Sequence, residues 1–387
     1  MSILLVEKGP QGLEAAVMHC GKLYAYAGPA SPDLREGQVF LGVVDRAMPA
    51  LSAVFIRLTG GQQGFLPVSK GQKAPPSGSR VIVQVRRPPN GQKKAMLTRD
   101  VALAGEFAVY LPCGHGAHVS SRVTDENEQK RLLDAARSLL PEDGGLILRS
   151  AAVDHAVDEI RREAEALRRE WLEIRARSNG PAPVLLWEGD APLSLLLREE
   201  AARLEYVLTN APEALPGNIA CPVKVCEHPF LLHNVPHRLE RSLRRTVQMK
   251  SGATLVIDPC EAMTVIDVNS AAAIGGKNVE AAIEKINTEA AWEVARLLRL
   301  RGIGGMIVVD FIDMASAEAR ERLIATMREA LGEDPVKTTV HGLTALGLME
   351  LTRRRAGTPL TPLDDALCPH CHGTGLQLTT EEEISDA

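Results

Sequence analysis

Aromatic residues are scarce. Trp, Tyr and Phe together make up 3% of the 387 residues. A surface that stacks many bases is thereby excluded, and any stacking platform must be small. No apolar run reaches the ~18 residues that a membrane-spanning helix needs. The first apolar stretch, Ile3–Val6, is too short for the core of a signal peptide, so the expected location is the cytoplasm, with no membrane partner. No sign of charge dominates: 44 Lys and Arg against 49 Asp and Glu give a net charge of −5. That balance neither requires nor excludes a nucleic-acid partner, and local patches matter more than the total. The seven cysteines are odd in number; Cys20, Cys113, Cys221, Cys226 and Cys260 are scattered, and the expected intracellular setting argues against a disulfide framework. There is no internal repeat. What is present is a globular composition, 45% apolar and 24% charged, which rules out disorder and collagen-like chains. At roughly 100–200 residues per domain, the length implies two or three domains.

The chain opens with strand-like pieces at Ile3–Val6, Leu13–Met18 and Leu23–Ala27, followed by the boundary-like stretch GPASPDLREG. Short strands punctuated by Gly and Pro come next: Val39–Val44, Ala53–Leu58, Gly64–Pro67 and Arg80–Val85. That is the rhythm of a small all-β barrel. Beyond it, Phe107–Leu111 and Leu146–Arg149 read as strands. Leu132, Leu133, Ala136, Leu139 and Leu140 share one helix face. Val153, Val157, Ile160, Ala164, Leu167 and Trp171 share another. The third region, from about residue 211, has the strongest pattern. It predicts a hairpin of Leu255–Ile257 and Ala262–Ile266, a helix from Asn278 to Arg301, and a strand at Met306–Val309. A helix over Ala315–Leu331 and a strand at Val336–Val340 follow.

Two aspartates sit alike in this pattern. Asp267 ends the apolar run MTVID and Asp310 ends MIVVD, with a helix between them. Such a crossover puts the two strands parallel in one sheet and both acids at the same edge, where ligand crevices form. Asn269 follows Asp267 by two positions and Asp313 follows Asp310 by three. Carboxylates, an amide and water are hard oxygen ligands suited to Mg²⁺; helix caps or loop acids after strands are the plainer reading. CPHCHGTG, from Cys368 to Gly375, is half of a zinc site. His370 or His372, or a second chain, would have to complete it; an unpaired reduced CxxC is the alternative. Phe55 and Phe65 are either base-stacking residues or barrel core. Lys93 and Lys94 read as phosphate contacts or as solvated charges. Arg149 and Ser150, after a strand, can bind a terminal phosphate or belong to a surface ion pair. Arg241, Arg244 and Arg245 form either a phosphate-tracking patch or a solvated face.

Taken together, these motifs resemble the RNase E/G family of bacterial endoribonucleases. The segment VIDVNSAAAIGGKNVEAAIEKINTEAAWEVARLLRLRGIGGMIVVDFIDM is similar to that family's catalytic segment, including Gly275 and Gly276. The likeness extends to GFLP (64–67), LTRDVALAGEFAVYLP (97–112), GLILRS (145–150) and the terminal CPHCHGTG, in the family's order.

The resemblance implies an α/β (α+β) multidomain fold. Residues 1–36 and 101–210 would form an RNase H-like subdomain with a 5′-phosphate sensor. Residues 37–100 would be an inserted OB-fold RNA-binding barrel, 211–365 a DNase I-like catalytic subdomain, and 366–387 a zinc-link with an acidic tail. It also implies roles. Asp267 and Asp310 match the aspartates that bind the catalytic Mg²⁺, and Asn269 the asparagine that orients the site. Phe55, Phe65 and Lys93 match RNA-contacting positions. Arg149 and Ser150 match the 5′-monophosphate pocket, with Gly105 and Val109 as its other wall; Ser150 stands where the family commonly has Thr. Cys368 and Cys371 match the link through which two protomers share one Zn²⁺. The implied activity is Mg²⁺-dependent cleavage of single-stranded RNA (rRNA precursors, tRNA precursors or mRNA) to 5′-phosphate and 3′-hydroxyl ends, by a homodimer. The alternative is a non-catalytic RNA-binding protein that retains the fold.

Overall fold

A computed structural model describes residues 2–29, 34–69, 73–89, 94–216, 219–270, 279–357 and 359–360. The chain divides into two compact units. The first comprises Met1–His233 with Pro335–Lys337 and Arg353–Thr358, the second Asn234–Asp334 with Thr338–Thr352 and Pro359–Ala387.

The first unit contains three sheets. In the N-terminal one, the strand Ser2–Gly9 pairs antiparallel with Gly12–His19 and parallel with Leu204–Thr209; Lys22–Ala27 and Val223–Val225 form the edges. Leu4, Leu5 and Val6 are all fully buried, as a central strand covered on both faces requires. The second sheet has six strands; Val184–Trp187 pairs antiparallel on the outside of Val39–Met48, and the other five close into a barrel: Val39–Met48, Ala53–Arg57, Gln63–Pro67, Ala95–Thr98 and Arg80–Arg87. The last of these pairs back onto the first, and Gln63–Pro67 runs parallel to Ala95–Thr98. That strand order is OB-like. Phe40, Val44, Val54, Ile56, Leu66, Val83, Val85 and Leu97 fill the interior. The barrel is narrow: a Cβ on Gly42 would lie 2.2 Å from the Ile56 side chain, so only glycine fits there.

The third sheet has the order Gly116–Val119, Gly145–Leu148, Ala108–Leu111, Leu103–Ala104. The helices Glu126–Leu139 and Val157–Arg177 lie against it. Their apolar stripes, Leu132 with Ala136 and Ile160, Ala164, Leu167 and Trp171, enter a core shared with Val39 and Leu41 of the barrel's first strand. The first helix is capped by Asp125, which accepts from the Glu128 N–H at 2.8 Å.

The second unit is one six-stranded sheet in the order Thr246–Gln248, Thr254–Pro259, Met263–Asn269, Gly305–Asp310, Met349–Arg353, Thr338–Leu343. The expected hairpin is present as Thr254–Pro259 against Met263–Asn269. The helix Val279–Leu300 crosses from Met263–Asn269 to the parallel strand Gly305–Asp310. Ile286, Ala290, Val294 and Leu297 of that helix, with Leu323 and Met327 of the helix Ala317–Gly332, pack on Ile257, Ile266, Ile307 and Val309. Met349–Arg353 inserts beside Gly305–Asp310; its burial alternates, with Met349, Leu351 and Arg353 inside and Glu350 and Thr352 outside, as in a half-buried strand, and it lies beyond the last strand expected from sequence. Among the described residues no helix is long and apolar enough to cross a membrane.

Candidate functional site

The two aspartates stand abreast. In the parallel register Met263 pairs with Met306, Ile266 with Val309, and Asp267 with Asp310. Neighbouring strands lie about 4.8 Å apart, so the carboxylates emerge side by side. Strand alternation fixes the face they share. Ile266, Val268, Ile307 and Val309 are buried in the helix-covered core, which turns Asp267, Asn269 and Asp310 to the opposite face. There Asn269 Nδ2 donates to Asp267 Oδ2 at 2.6 Å. Partial burial, and then the negative charges of Asp267 and Asp313, hold the Asp310 carboxyl above its ordinary pKa. Among the described residues neither Asp267 nor Asp310 enters an ion pair. The pair therefore concentrates negative charge without an ion-paired cation among the described residues.

A Mg²⁺ fits this donor set. Mg²⁺ is commonly held by one or two carboxylates and keeps several waters. Two adjacent carboxylates and an amide are enough. Among the described residues no group of three His, Cys, Asp or Glu side chains converges on a metal-sized point, so Asp313 stands outside such a cluster.

The loop after Asp310 is held from below by a residue that the sequence did not single out. Asn287, fully buried in the helix Val279–Leu300, takes both polar groups of one peptide position. Its Nδ2 donates to the Ile312 carbonyl at 2.8 Å and its Oδ1 accepts from the Ile312 N–H at 3.1 Å. Ile312 lies between Asp310 and Asp313. The amide thus fixes the exit of the acid-bearing strand.

On the barrel, Phe55 and Phe65 are not core. They are a directly opposed cross-strand pair, half-buried on the outer face, while Val54, Ile56 and Leu66 point inward. The rings meet edge to face with centroids 6.0 Å apart. Arg46, opposite Phe55 in the register, sets its guanidinium carbon 5.5 Å from the Phe55 centroid, and Lys94 Nζ lies 5.0 Å from it. Two aromatic faces with two cations make a small platform suited to a base and its phosphate. Lys93 lies outside the described residues; its neighbour Lys94 occupies the platform. Arg46 was not apparent from sequence, because only the register brings it to Phe55.

Arg149 and Ser150 follow the strand Gly145–Leu148, which pairs with Ala108–Leu111 so that Val109 opposes Ile147. The Arg149 N–H donates to the Phe107 carbonyl at 2.7 Å and its Nη1 to the Gly105 carbonyl at 2.6 Å. Arg149, Gly105 and Val109 therefore come together, with Ser150 exposed beside them. Burial, and next the charge of Arg198, push the Arg149 guanidinium below its ordinary pKa. The Arg241–Arg245 run is partly committed elsewhere: Arg244 pairs with Glu240 at 2.6 Å and Arg245 with Asp258 at 2.6 Å. Cys368 and Cys371 lie outside the described residues.

Asn287→Ala should leave both polar groups of Ile312 unpaired. The expected loss is about 1–3 kcal/mol for each buried group so exposed, read as a lower midpoint in urea denaturation. An unchanged midpoint would show that the clamp contributes nothing.

The sequence pattern of the Ribonuclease E/G family matches residues 102–356, a span that holds Arg149, Asp267, Asn269 and Asp310. Ribonuclease G of Escherichia coli strain K12 is 32% identical over 384 residues, covering 89% of this chain and 78% of that protein. Ribonuclease G of Haemophilus influenzae is 30% identical over 386 residues, covering 89% and 77%. Ribonuclease E of a Synechocystis species is 32% identical over 370 residues, covering 88% of this chain and 55% of its own length. The chain belongs to the Ribonuclease E/G family and is an enzyme of that type.

Proposed function

We propose that the chain is a Mg²⁺-dependent endoribonuclease of the cytoplasm. It cuts single-stranded RNA to 5′-phosphate and 3′-hydroxyl ends, acting on rRNA or tRNA precursors or on mRNA. The observation that carries this reading is the register that sets Asp267 beside Asp310, with Asn269 on the same face. Asp267 and Asp310 would hold the metal. When bound, Mg²⁺ supplies a water of lowered pKa and neutralises charge on the attacked phosphate. Asn269 orients the Asp267 carboxylate through one N–H and keeps the other for a phosphate oxygen. Asn287 keeps the Asp310 exit loop from drifting. Phe55 and Phe65 would stack bases while Arg46, Lys94 and Lys93 face the phosphates. Arg149 and Ser150, with Gly105 and Val109, would receive a 5′-monophosphate, the guanidinium offering parallel hydrogen bonds that an ammonium cannot copy.

The same reading assigns Cys368 and Cys371 to a zinc shared by two chains. One CxxC offers two thiolates, a structural zinc takes four ligands, and His370 lies too close between the cysteines to close a tetrahedron with them.

Asp267→Asn or Asp310→Asn should abolish cleavage of a short A/U-rich RNA in Mg²⁺ while RNA binding persists, because a lost carboxylate removes both metal affinity and charge stabilisation. Near-normal turnover in either variant at saturating Mg²⁺ would sink the assignment.

Phe55→Ala should weaken RNA binding by about 1–3 kcal/mol, the worth of one stacked base. Arg46→Ala should flatten the salt dependence of binding, since one fewer phosphate is neutralised. Titration of a fluorescent oligonucleotide at several salt concentrations checks both, and wild-type affinity in the Phe55 variant contradicts the platform.

Zinc content should be about one ion per two chains, and Cys368→Ser or chelation should yield monomers on sedimentation. A dimer that survives complete zinc removal refutes the shared site.

A further inference from the structure

The short hairpin from Leu103–Ala104 to Ala108–Leu111 is opened at its last rung, and the opening is what anchors Arg149. Val109 pairs with Ala104 and Tyr110 with Leu103, so Gly105 and Ala108 form the next pair toward the turn. Such a pair ordinarily exchanges two hydrogen bonds. Here one is made, from the Gly105 N–H to the Ala108 carbonyl at 2.7 Å. The return bond is replaced on both sides. The Ala108 N–H donates instead to Glu163 Oε1 at 2.8 Å, and the Gly105 carbonyl accepts instead from Arg149 Nη1 at 2.6 Å.

Glu163, half-buried on the helix Val157–Arg177, also takes the rest of the turn. Its Oε1 accepts from the Phe107 N–H at 2.8 Å and its Oε2 from the Glu106 N–H at 2.9 Å. Three consecutive N–H groups converge on one carboxylate, the arrangement of a backbone anion nest. The approach needs glycine at 105: a Cβ there would stand 2.2 Å from Glu163 Oε1 and 2.4 Å from its carboxyl carbon. Gly105, matched above to a pocket wall, thus has a second physical reason to lack a side chain. The turn is gripped by its N–H groups from the Glu163 side and by its carbonyls from the Arg149 side, since Phe107 also accepts the Arg149 N–H at 2.7 Å.

We propose that Glu163 is a positioning residue for the 5′-phosphate pocket: by drawing the N–H groups of Glu106, Phe107 and Ala108 away from the hairpin, it frees the Gly105 carbonyl to hold the Arg149 guanidinium in place. The inference rests on the reading of Arg149 as a phosphate-binding residue. Without the carboxylate the rung closes, the Gly105 carbonyl turns to Ala108, and Arg149 loses its tether.

The test compares cleavage of one RNA in 5′-monophosphorylated and 5′-hydroxyl form by the full chain in Mg²⁺, for the wild type, Arg149→Ala, Glu163→Ala, Glu163→Gln and the Arg149→Ala/Glu163→Ala double variant. The monophosphate-to-hydroxyl ratio of kcat/KM is the readout, because general damage to the fold lowers both rates and leaves the ratio alone. Glu163→Ala should lower the ratio at least about fivefold, the scale of one weakened charge-assisted hydrogen bond, with the loss in KM for the monophosphorylated RNA. Glu163→Gln retains one accepting oxygen and should fall between it and the wild type. The double variant should show the ratio of Arg149→Ala alone, as expected when one residue acts through the other. A ratio that falls with Arg149→Ala but not with Glu163→Ala overturns the positioning role and leaves the pocket standing. Equal loss on both substrates in Glu163→Ala also overturns it. A wild type without preference, or a preference that survives Arg149→Ala, overturns the pocket and this inference with it.

Discussion

Two like charges held abreast impose the main constraint on the second unit. Nothing in local preference favours placing Asp267 beside Asp310. The register does it, and the register is set by the apolar residues between which the acids alternate. Ile266, Val268, Ile307 and Val309 belong to one core, and Val309 and Ile266 are fully buried. A slip of one residue in either strand would exchange a buried branched side chain for a carboxylate. Burial of apolar surface, non-directional in itself, thereby enforces the alignment of two polar groups. The crossover helix Val279–Leu300 serves the same end, since its stripe of Ile286, Ala290, Val294 and Leu297 covers the strands whose other face carries the acids.

The parts of this arrangement that sequence made legible are those with local periodicity. MTVID and MIVVD, joined by a helix-length amphipathic segment, predict parallel strands and a common edge, and Asp267 and Asp310 are register partners. The barrel was legible from its turn rhythm, although alternation alone left Phe55 and Phe65 between core and surface. The neighbours Val54, Ile56 and Leu66, all buried, decide it once the register is known. What sequence did not reveal depends on long-range pairing. Arg46 opposes Phe55 on the adjacent strand only because the register shifts between Val44 and Arg46. Asn287 lies 25 positions before the peptide it clamps, and Glu163 55 to 57 positions after the N–H groups it gathers. In sequence, Glu163 is one of many acids in VDEIRREAEALRREWLEIRAR, and Asn287 one polar residue in an apolar stripe.

Those two residues share a device with a third. Glu289, two positions beyond Asn287 on the same helix, accepts from the Lys250 N–H at 2.8 Å and the Ser251 N–H at 3.1 Å, in the turn leading to the strand Thr254–Pro259. In each case a helix side chain reaches the backbone of a turn or loop that adjoins a strand and takes polar groups the sheet ladder leaves open. A buried or half-buried peptide group must find a partner, and loops have few of their own. A loop satisfied by water alone would have several conformations of similar energy. One satisfied by a side chain on a packed helix inherits the position of that helix. This places precision where the chemistry needs it. On the proposed reading, the loop after Asp310 adjoins a metal ligand and the turn before Val109 adjoins the Arg149 pocket; the first is held by helix-borne Asn287 and the second by helix-borne Glu163. Each helix is itself fixed by its apolar stripe, so hydrophobic packing is converted, through a single amide or carboxylate, into the geometry of a polar site.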